Sequence, residues 1–233
     1  MSGYEAVLKL LLQAVEDGIT VTESVAATAA PQVAPETTPE GITVGISNRH
    51  IHLAQEDVNV LFGTGYQLTP MKELSQPGQF ACKEMVTICG PKGAIEKVRV
   101  LGPVRSQTQV EILAGDSFKL GVKAPARMSG DLQGTPGITI IGPNGSVQTN
   151  EGLIVAQRHI HMHPDNAQQY GVRNGQLVGI QLGGVRGGVL FNVAIRVSES
   201  SALELHVDME EANAMNITPS SVVEIAKYTE RGV

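Results

Sequence analysis

From residue 41 to residue 228, apolar positions come in short alternating runs, each closed by glycine, proline or a polar cluster. Ile42, Val44 and Ile46 alternate with Thr43 and Gly45, and comparable runs cover 84–89, 95–100, 108–112, 138–141, 153–156, 176–180, 189–197, 202–207 and 221–225. Strand side chains point to opposite faces in turn, so such a run can bury one face and wet the other. The breaks carry turn residues, as in Gly90-Pro91, Gly102-Pro103, Gly142-Pro143-Asn144-Gly145 and Gly183-Gly184. Short helices are expected near 54–62, 164–170 and 208–215. Many short strands joined by regular turns predict a mostly β body, built as barrels or sandwiches.

The pattern ahead of residue 41 is different. Tyr4, Val7, Leu8, Leu11, Leu12 and Val15 recur at helical spacing, with Lys9, Glu16 and Asp17 between them. This predicts an amphipathic helix over 3–18. It lacks the basic start and cleavage pattern of a signal peptide, and it is too short and too charged to span a bilayer. Residues 20–40 are Ala, Pro, Thr, Val and Glu without periodicity and read as a flexible linker. A helix tethered in this way suits docking into a groove on another protein. The plainer reading is a helix packed on the body.

The body repeats itself. Arg49-His50-Ile51-His52 returns as Arg158-His159-Ile160-His161, so four of the six histidines fall in two tetrapeptides. Each copy is followed by the signature of a short capped helix, a glycine turn and a strand. The strand Val110-Glu111-Ile112, with Asp116 five residues beyond Glu111, matches Leu205-His206-Val207, with Glu211 five residues beyond His206. An internal duplication giving two similar β-barrels with short capping helices accounts for all of this.

In a strand, residues two apart share a face, so each histidine pair can reach one ion while Ile51 and Ile160 face away. Imidazole suits zinc, copper, iron or nickel. The repeat supplies a third donor to each pair and gives two candidate metal sets: His50, His52 and Glu111, and His159, His161 and His206. Three protein donors with an open position is the catalytic pattern for zinc. Plain hydrogen-bonded histidines on a sheet, and an ordinary strand carboxylate at Glu111, are the uneventful alternatives.

Charge and composition narrow the partners. The formal net charge is −6 and aromatics make up 3% of residues, which argues against nucleic acid as a partner. The two cysteines, Cys82 and Cys89, lie in or beside an apolar run and are expected as reduced thiols. The few basic residues are placed unevenly. Lys97 and Arg99 share a strand face, and Arg105 follows the Gly102-Pro103 turn six residues before Glu111. A turn-borne arginine beside a metal ligand suits a bidentate grip on phosphate or carboxylate. Lys92 and Arg127 are candidates for further anionic groups, against a reading of solvated surface charge. Phe118 is either core or a wall against an aromatic ligand.

Together with Pro103-Val104-Arg105 and the run from Ala126 and Arg127 to Asp131, the two Arg-His-Ile-His motifs resemble the PduL-type phosphate acyltransferases. These are the phosphotransacylases of bacterial microcompartments. The resemblance spans about 42–227. It implies two β-barrels over 48–156 and 157–228, with 41–47 joining the second barrel, and two zinc ions between them on the donor sets above. It implies acyl-CoA, propanoyl-CoA first, and phosphate as substrates, with propanediol degradation as setting. Coenzyme A contacts are then expected at Ser47, Lys92, Arg99, Phe118 and Arg127. The first metal set would receive the CoA sulfur, and the second, with Arg105 as catalytic residue, the phosphate. Residues 1–20 would be an encapsulation peptide for microcompartment shell or core proteins in the bacterial cytoplasm, on a homo-oligomeric enzyme. Two other classes compete. A cupin-like single-metal enzyme would use Glu56 after the first histidine pair, and a non-catalytic microcompartment component would show no turnover. A zinc hydrolase is a further alternative.

Overall fold

A computed structural model describes residues 41–226. The expected amphipathic helix, the linker and the last residues of the chain lie outside them. Within them the strands are β1 (Ile42–Ser47), β2 (His50–Ala54), β3 (Pro70–Glu73), β4 (Phe80–Cys89), β5 (Ala94–Arg105), β6 (Gln109–Glu111) and β7 (Ala126–Arg127). They continue with β8 (Thr139–Ile141), β9 (Ser146–Gln148), β10 (Leu153–Ala156), β11 (His159–Met162), β12 (Leu177–Leu182), β13 (Gly188–Val197), β14 (Glu204–Asp208) and β15 (Val222–Ile225). Four helices interrupt them: α1 (Gln55–Phe62), α2 (Asp116–Leu120), α3 (Pro164–Tyr170) and α4 (Met209–Met215).

The strands form two separate sheets. One is a closed barrel in the order β1-β14-β11-β13-β12-β15. The other has nine strands, ordered β7-β10-β6-β2-β5-β4-β8-β9 with β3 added on β4, and its ends do not pair. The two halves therefore differ in closure, the first being a curled open sheet. Each has its own core. Ile51, Val86, Ile88, Val98, Val100 and Leu153 pack together in the first half, and Ile42, Val44, Ile160, Ile180, Val193 and Leu205 in the second.

Strand β1 precedes the first half in sequence but closes the barrel of the second. It pairs parallel with β14 and antiparallel with β15, and its alternation buries Ile42 and Val44 in that core. The first-half core is already filled by strands that follow, so the apolar face of β1 has its complement only in the barrel.

The histidine strands are built alike. β2 runs parallel to β5 and antiparallel to β6, and β11 runs parallel to β13 and antiparallel to β14. Ile51 and Ile160 are wholly buried, each worth about 1.5–3 kcal/mol of apolar transfer. Burying the isoleucine forces the two flanking histidines of each strand onto the opposite face.

Local geometry departs from the sequence expectations in three places. The expected strand 95–100 is part of a longer one, and Gly102-Pro103 lies inside it, joined by a cis peptide bond, rather than in a turn. Lys97 has a φ of 58° at a register shift between β4 and β5. An extra residue there leaves Glu96 and Lys97 both outside, so the run is not a simple alternation. Phe118 is 85% exposed, which excludes the core reading. It stands on the outer side of α2, whose buried positions are Asp116 and Leu120.

Candidate functional site

The histidine faces of the two halves meet at one cavity of about 340 Å³. His50, His52 and Glu111 line it from the first half, and His159, His161 and His206 from the second, with Arg105 and Ser129 beside them. Within each group of three, the donor atoms lie within 4.8 Å of one another. Strand register explains this. His50 stands opposite Glu111 across β2 and β6, and His159 opposite His206 across β11 and β14. Directly opposed residues share a face with their Cβ atoms about 5 Å apart.

The supports repeat as well. The Nδ1 of His50 donates to the carbonyl of Asn48 at 2.8 Å, and that of His159 to the carbonyl of Gln157 at 2.8 Å. A carbonyl only accepts, so Nδ1 carries the proton and each Nε2 presents its lone pair to the cavity. Arg49 binds both carboxylate oxygens of Asp116, at 2.8 and 2.9 Å, while Arg158 meets Glu211 at 2.7 Å. The arginine that opens each histidine motif thus ties its strand to the helix beyond the third donor.

Charge is distributed unequally between the two sets. Burial pushes the His50 imidazolium down, but Glu111 at 3.3 Å more than offsets it, and the net shift is upward. Burial raises Glu111, yet the neighbouring His50 holds it well below the usual carboxylate range. His52 is pushed down to about 3, His159 to about 4 and His161 to about 3, in each case first by burial. Neutral imidazoles are what metal binding requires.

The donor sets fit a cation. The Nε2 atoms of His159 and His161 approach to 3.0 Å, and His161 Nδ1 is buried without a hydrogen-bond partner among the described residues. A buried cluster of neutral imidazoles with an orphaned nitrogen is not satisfied internally. Gly45 completes the fit. A Cβ there would lie 2.9 Å from Cδ2 of His206, so only glycine lets β1 pass behind that ring.

Of the other residues expected at the site, Ser47 and Arg99 line the cavity. Arg99 is the register partner of His50, and its guanidinium donates to the carbonyls of Cys82 and Lys83, both at 2.9 Å. Lys92, Phe118 and Arg127 do not line it. Lys92 and Arg127 are exposed, Arg127 standing 3.8 Å from Asp131. Glu56 is exposed on α1 and joins neither donor set, so the cupin-like arrangement is not formed. His163 caps α3 instead of ligating. Both cysteines are free, and burial pushes Cys82 up to about 11.

Three residues were not anticipated. Gln109 is buried directly opposite His52 across β2 and β6 and donates to Glu111 at 2.5 Å and to Ser129 at 2.9 Å. Glu204 accepts from His206 at 2.6 Å, from Ser75 and from Gln76, fastening the 74–79 loop of the first half to the barrel. Arg196 lines the cavity beside His161, its register partner. Gln109 and Glu204 each lie two positions from a donor, a spacing that signals a shared strand face. Arg196 offered only its isolation as a charge at the end of an apolar run.

A barrel and a curled sheet with two convergent donor triads at their common cavity define a β-sheet enzyme with a candidate two-metal centre. The chain belongs to the phosphate propanoyltransferase family, whose profile matches residues 43–218, and it is an acyltransferase. It is 58% identical to a phosphate propanoyltransferase of Thermotoga maritima over 189 residues, 81% of this chain and 90% of that one. Over 186 residues it is 56% identical to a phosphate propanoyltransferase of Rhodopseudomonas palustris, covering 80% of this chain and 82% of the relative. A Listeria monocytogenes phosphate propanoyltransferase is 46% identical over 190 residues, 82% and 89% of the two chains.

Proposed function

We propose that this chain transfers a short acyl group, propanoyl first, between coenzyme A and inorganic phosphate, reversibly, with one zinc ion in each donor set. The observation that carries the reading is the meeting of the two triads with Arg105 at one cavity. Zinc held there would supply Lewis acidity to phosphate or carbonyl oxygens and would keep a sulfur ligand as the thiolate.

The residues of the chain do the rest by position. Arg105 reaches the site through an irregularity between β2 and β5, where His52 pairs with Leu101 but Ala54 with Arg105. Its Nη1 donates to Ser129 at 3.0 Å and its Nη2 to His52 Nε2 at 2.9 Å. A guanidinium so held offers a planar fork to phosphate oxygens. A phosphate oxygen attacks the thioester carbonyl carbon, the new C–O bond forms, the C–S bond breaks, and coenzyme A leaves as the thiolate. His50, His52 and Glu111 are assigned to the sulfur side; His159, His161 and His206, with Arg105, to the phosphate side. Gln109 fixes the Glu111 carboxylate by a buried hydrogen bond, so the anionic donor keeps its direction. Holding both reactants in one partly enclosed space makes the reaction a matter of positioning and preorganised charge.

The cavity volume suits the acyl thioester end and a phosphate but not the whole of coenzyme A, whose nucleotide would extend outside. Ser47 and Arg99 are proposed to contact the part of coenzyme A that enters the cavity. Lys92, Phe118 and Arg127 are proposed to meet the nucleotide on the surface. Residues 1–20 are assigned to recruitment into a bacterial microcompartment, and the enzyme is proposed to be a homo-oligomer.

The test is a CoA-release assay with acetyl-, propanoyl- and butanoyl-CoA plus phosphate, run beside the reverse reaction with acyl phosphate and coenzyme A. Phosphate-dependent release, fastest with propanoyl-CoA, is expected. Release that proceeds equally without phosphate would make the chain a thioesterase and end this reading.

A further inference from the structure

We infer that Arg196 is a second phosphate-binding guanidinium, closing with Arg105 a two-arginine clamp on the phosphate between the donor sets. This rests on the acyl-transfer reading for the identity of the anion. Arg196 sits on β13 in register with His161, and therefore on the face that carries His159 and His161. It lines the same cavity as Arg105.

Its lack of a partner is the informative feature. Of the other cavity arginines, Arg49 is held by Asp116, Arg99 by two backbone carbonyls, and Arg105 by Ser129 and His52. The Arg196 side chain has no hydrogen bond or ion pair among the described residues. The carboxylates that line or border the cavity are already engaged. Glu111 is bound to His50 and Gln109, Glu204 to His206, Ser75 and Gln76, and Asp208 caps α4. No protein anion remains to balance Arg196, although it is only partly exposed and its charge acts on Arg105, His159 and His161. Two guanidiniums kept within electrostatic reach of each other, with one unpartnered, form a receptor for a compact multiply charged oxyanion. In the first half the corresponding place, opposite the second histidine of the motif, is taken by Leu101, so the repeat supplies no counterpart of Arg196 there.

The experiment compares zinc-loaded wild type with Arg196→Gln and Arg196→Lys. Inorganic phosphate binding is measured by titration calorimetry without acyl-CoA, and KM values are measured for phosphate and acyl-CoA separately. Arg196→Gln should weaken phosphate binding and raise the phosphate KM by about tenfold or more, with Lys recovering part. Zinc content and the KM for acyl-CoA should stay near wild type. Unchanged phosphate affinity overturns the clamp. So does an increase confined to the acyl-CoA KM, which would assign Arg196 to the phosphates of coenzyme A. Loss of zinc or of folding in both variants would make Arg196 structural and also overturn it. A wild type that binds phosphate through Arg196 yet transfers no acyl group would sink the functional reading and leave the clamp standing.

Discussion

Single side chains at this site differ in what they are asked to hold. Gln109 is buried and makes three contacts, to Glu111, to Ser129 and from the backbone of Gly130. Gln109→Ala would leave Glu111 with one hydrogen bond fewer and Gly130 N–H without its acceptor. Such a change typically weakens metal affinity about 10–100-fold. We expect the first donor set to lose its ion at a lower chelator concentration while the second keeps its own, read by zinc release against a chelator titration. With Arg105 assigned to the anion and not to the metal, Arg105→Ala should raise the phosphate requirement about tenfold or more with zinc content intact. Arg105→Lys should recover only part, because a point charge lacks the fork. A normal phosphate dependence in the Ala variant would place Arg105 outside the chemistry.

At the scale of elements, the Arg49–Asp116 pair is the most informative. It joins the start of β2 to α2, and Asp116 also accepts from Leu113 N–H at 3.1 Å. Asp116→Ala leaves a half-buried guanidinium and a backbone donor unpaired, so it should cost about 1–3 kcal/mol, seen as a lower denaturant midpoint. The double variant Arg49→Met with Asp116→Ala should be more stable than Asp116→Ala alone, since the stranded charge is gone. This pairing was half legible in the sequence. Asp116 and Glu211 stood at equivalent repeat positions, but nothing in the spacing assigned them to Arg49 and Arg158. The long alternating strands were legible because each buries one face, as β4 does with Cys82, Glu84, Val86 and Ile88 inside. β3 was not, because all four of its residues are exposed and no periodicity marks it. β7 and β9 are two and three residues long, too short for a pattern to appear. The donor triads were readable because a strand with a buried isoleucine must put both neighbours on one face. Arg196 and Glu204 gain meaning only when the fold brings β13 and the 74–79 loop to the cavity.

For the whole molecule, the described residues contain both donor sets, Arg105 and the cavity, and all lie beyond residue 41. Removal of residues 1–20 should therefore leave turnover within about twofold of the full chain, while a fluorescent fusion loses its recruitment to microcompartments; apolar stripes also drive association, so smaller particles are expected on size exclusion. Loss of turnover on truncation would place the segment in the folded core. The proposed chemistry requires two equivalent triads, each holding an ion at one shared cavity. A zinc count by elemental analysis on purified wild type, His50→Ala and His159→Ala tests it most directly, because one lost ligand of three leaves too few donors. Wild type should carry two zinc ions per chain and each variant about one, with most acyl transfer lost in both. Two ions retained in both variants, or fewer than two in a fully supplied wild type, would contradict it.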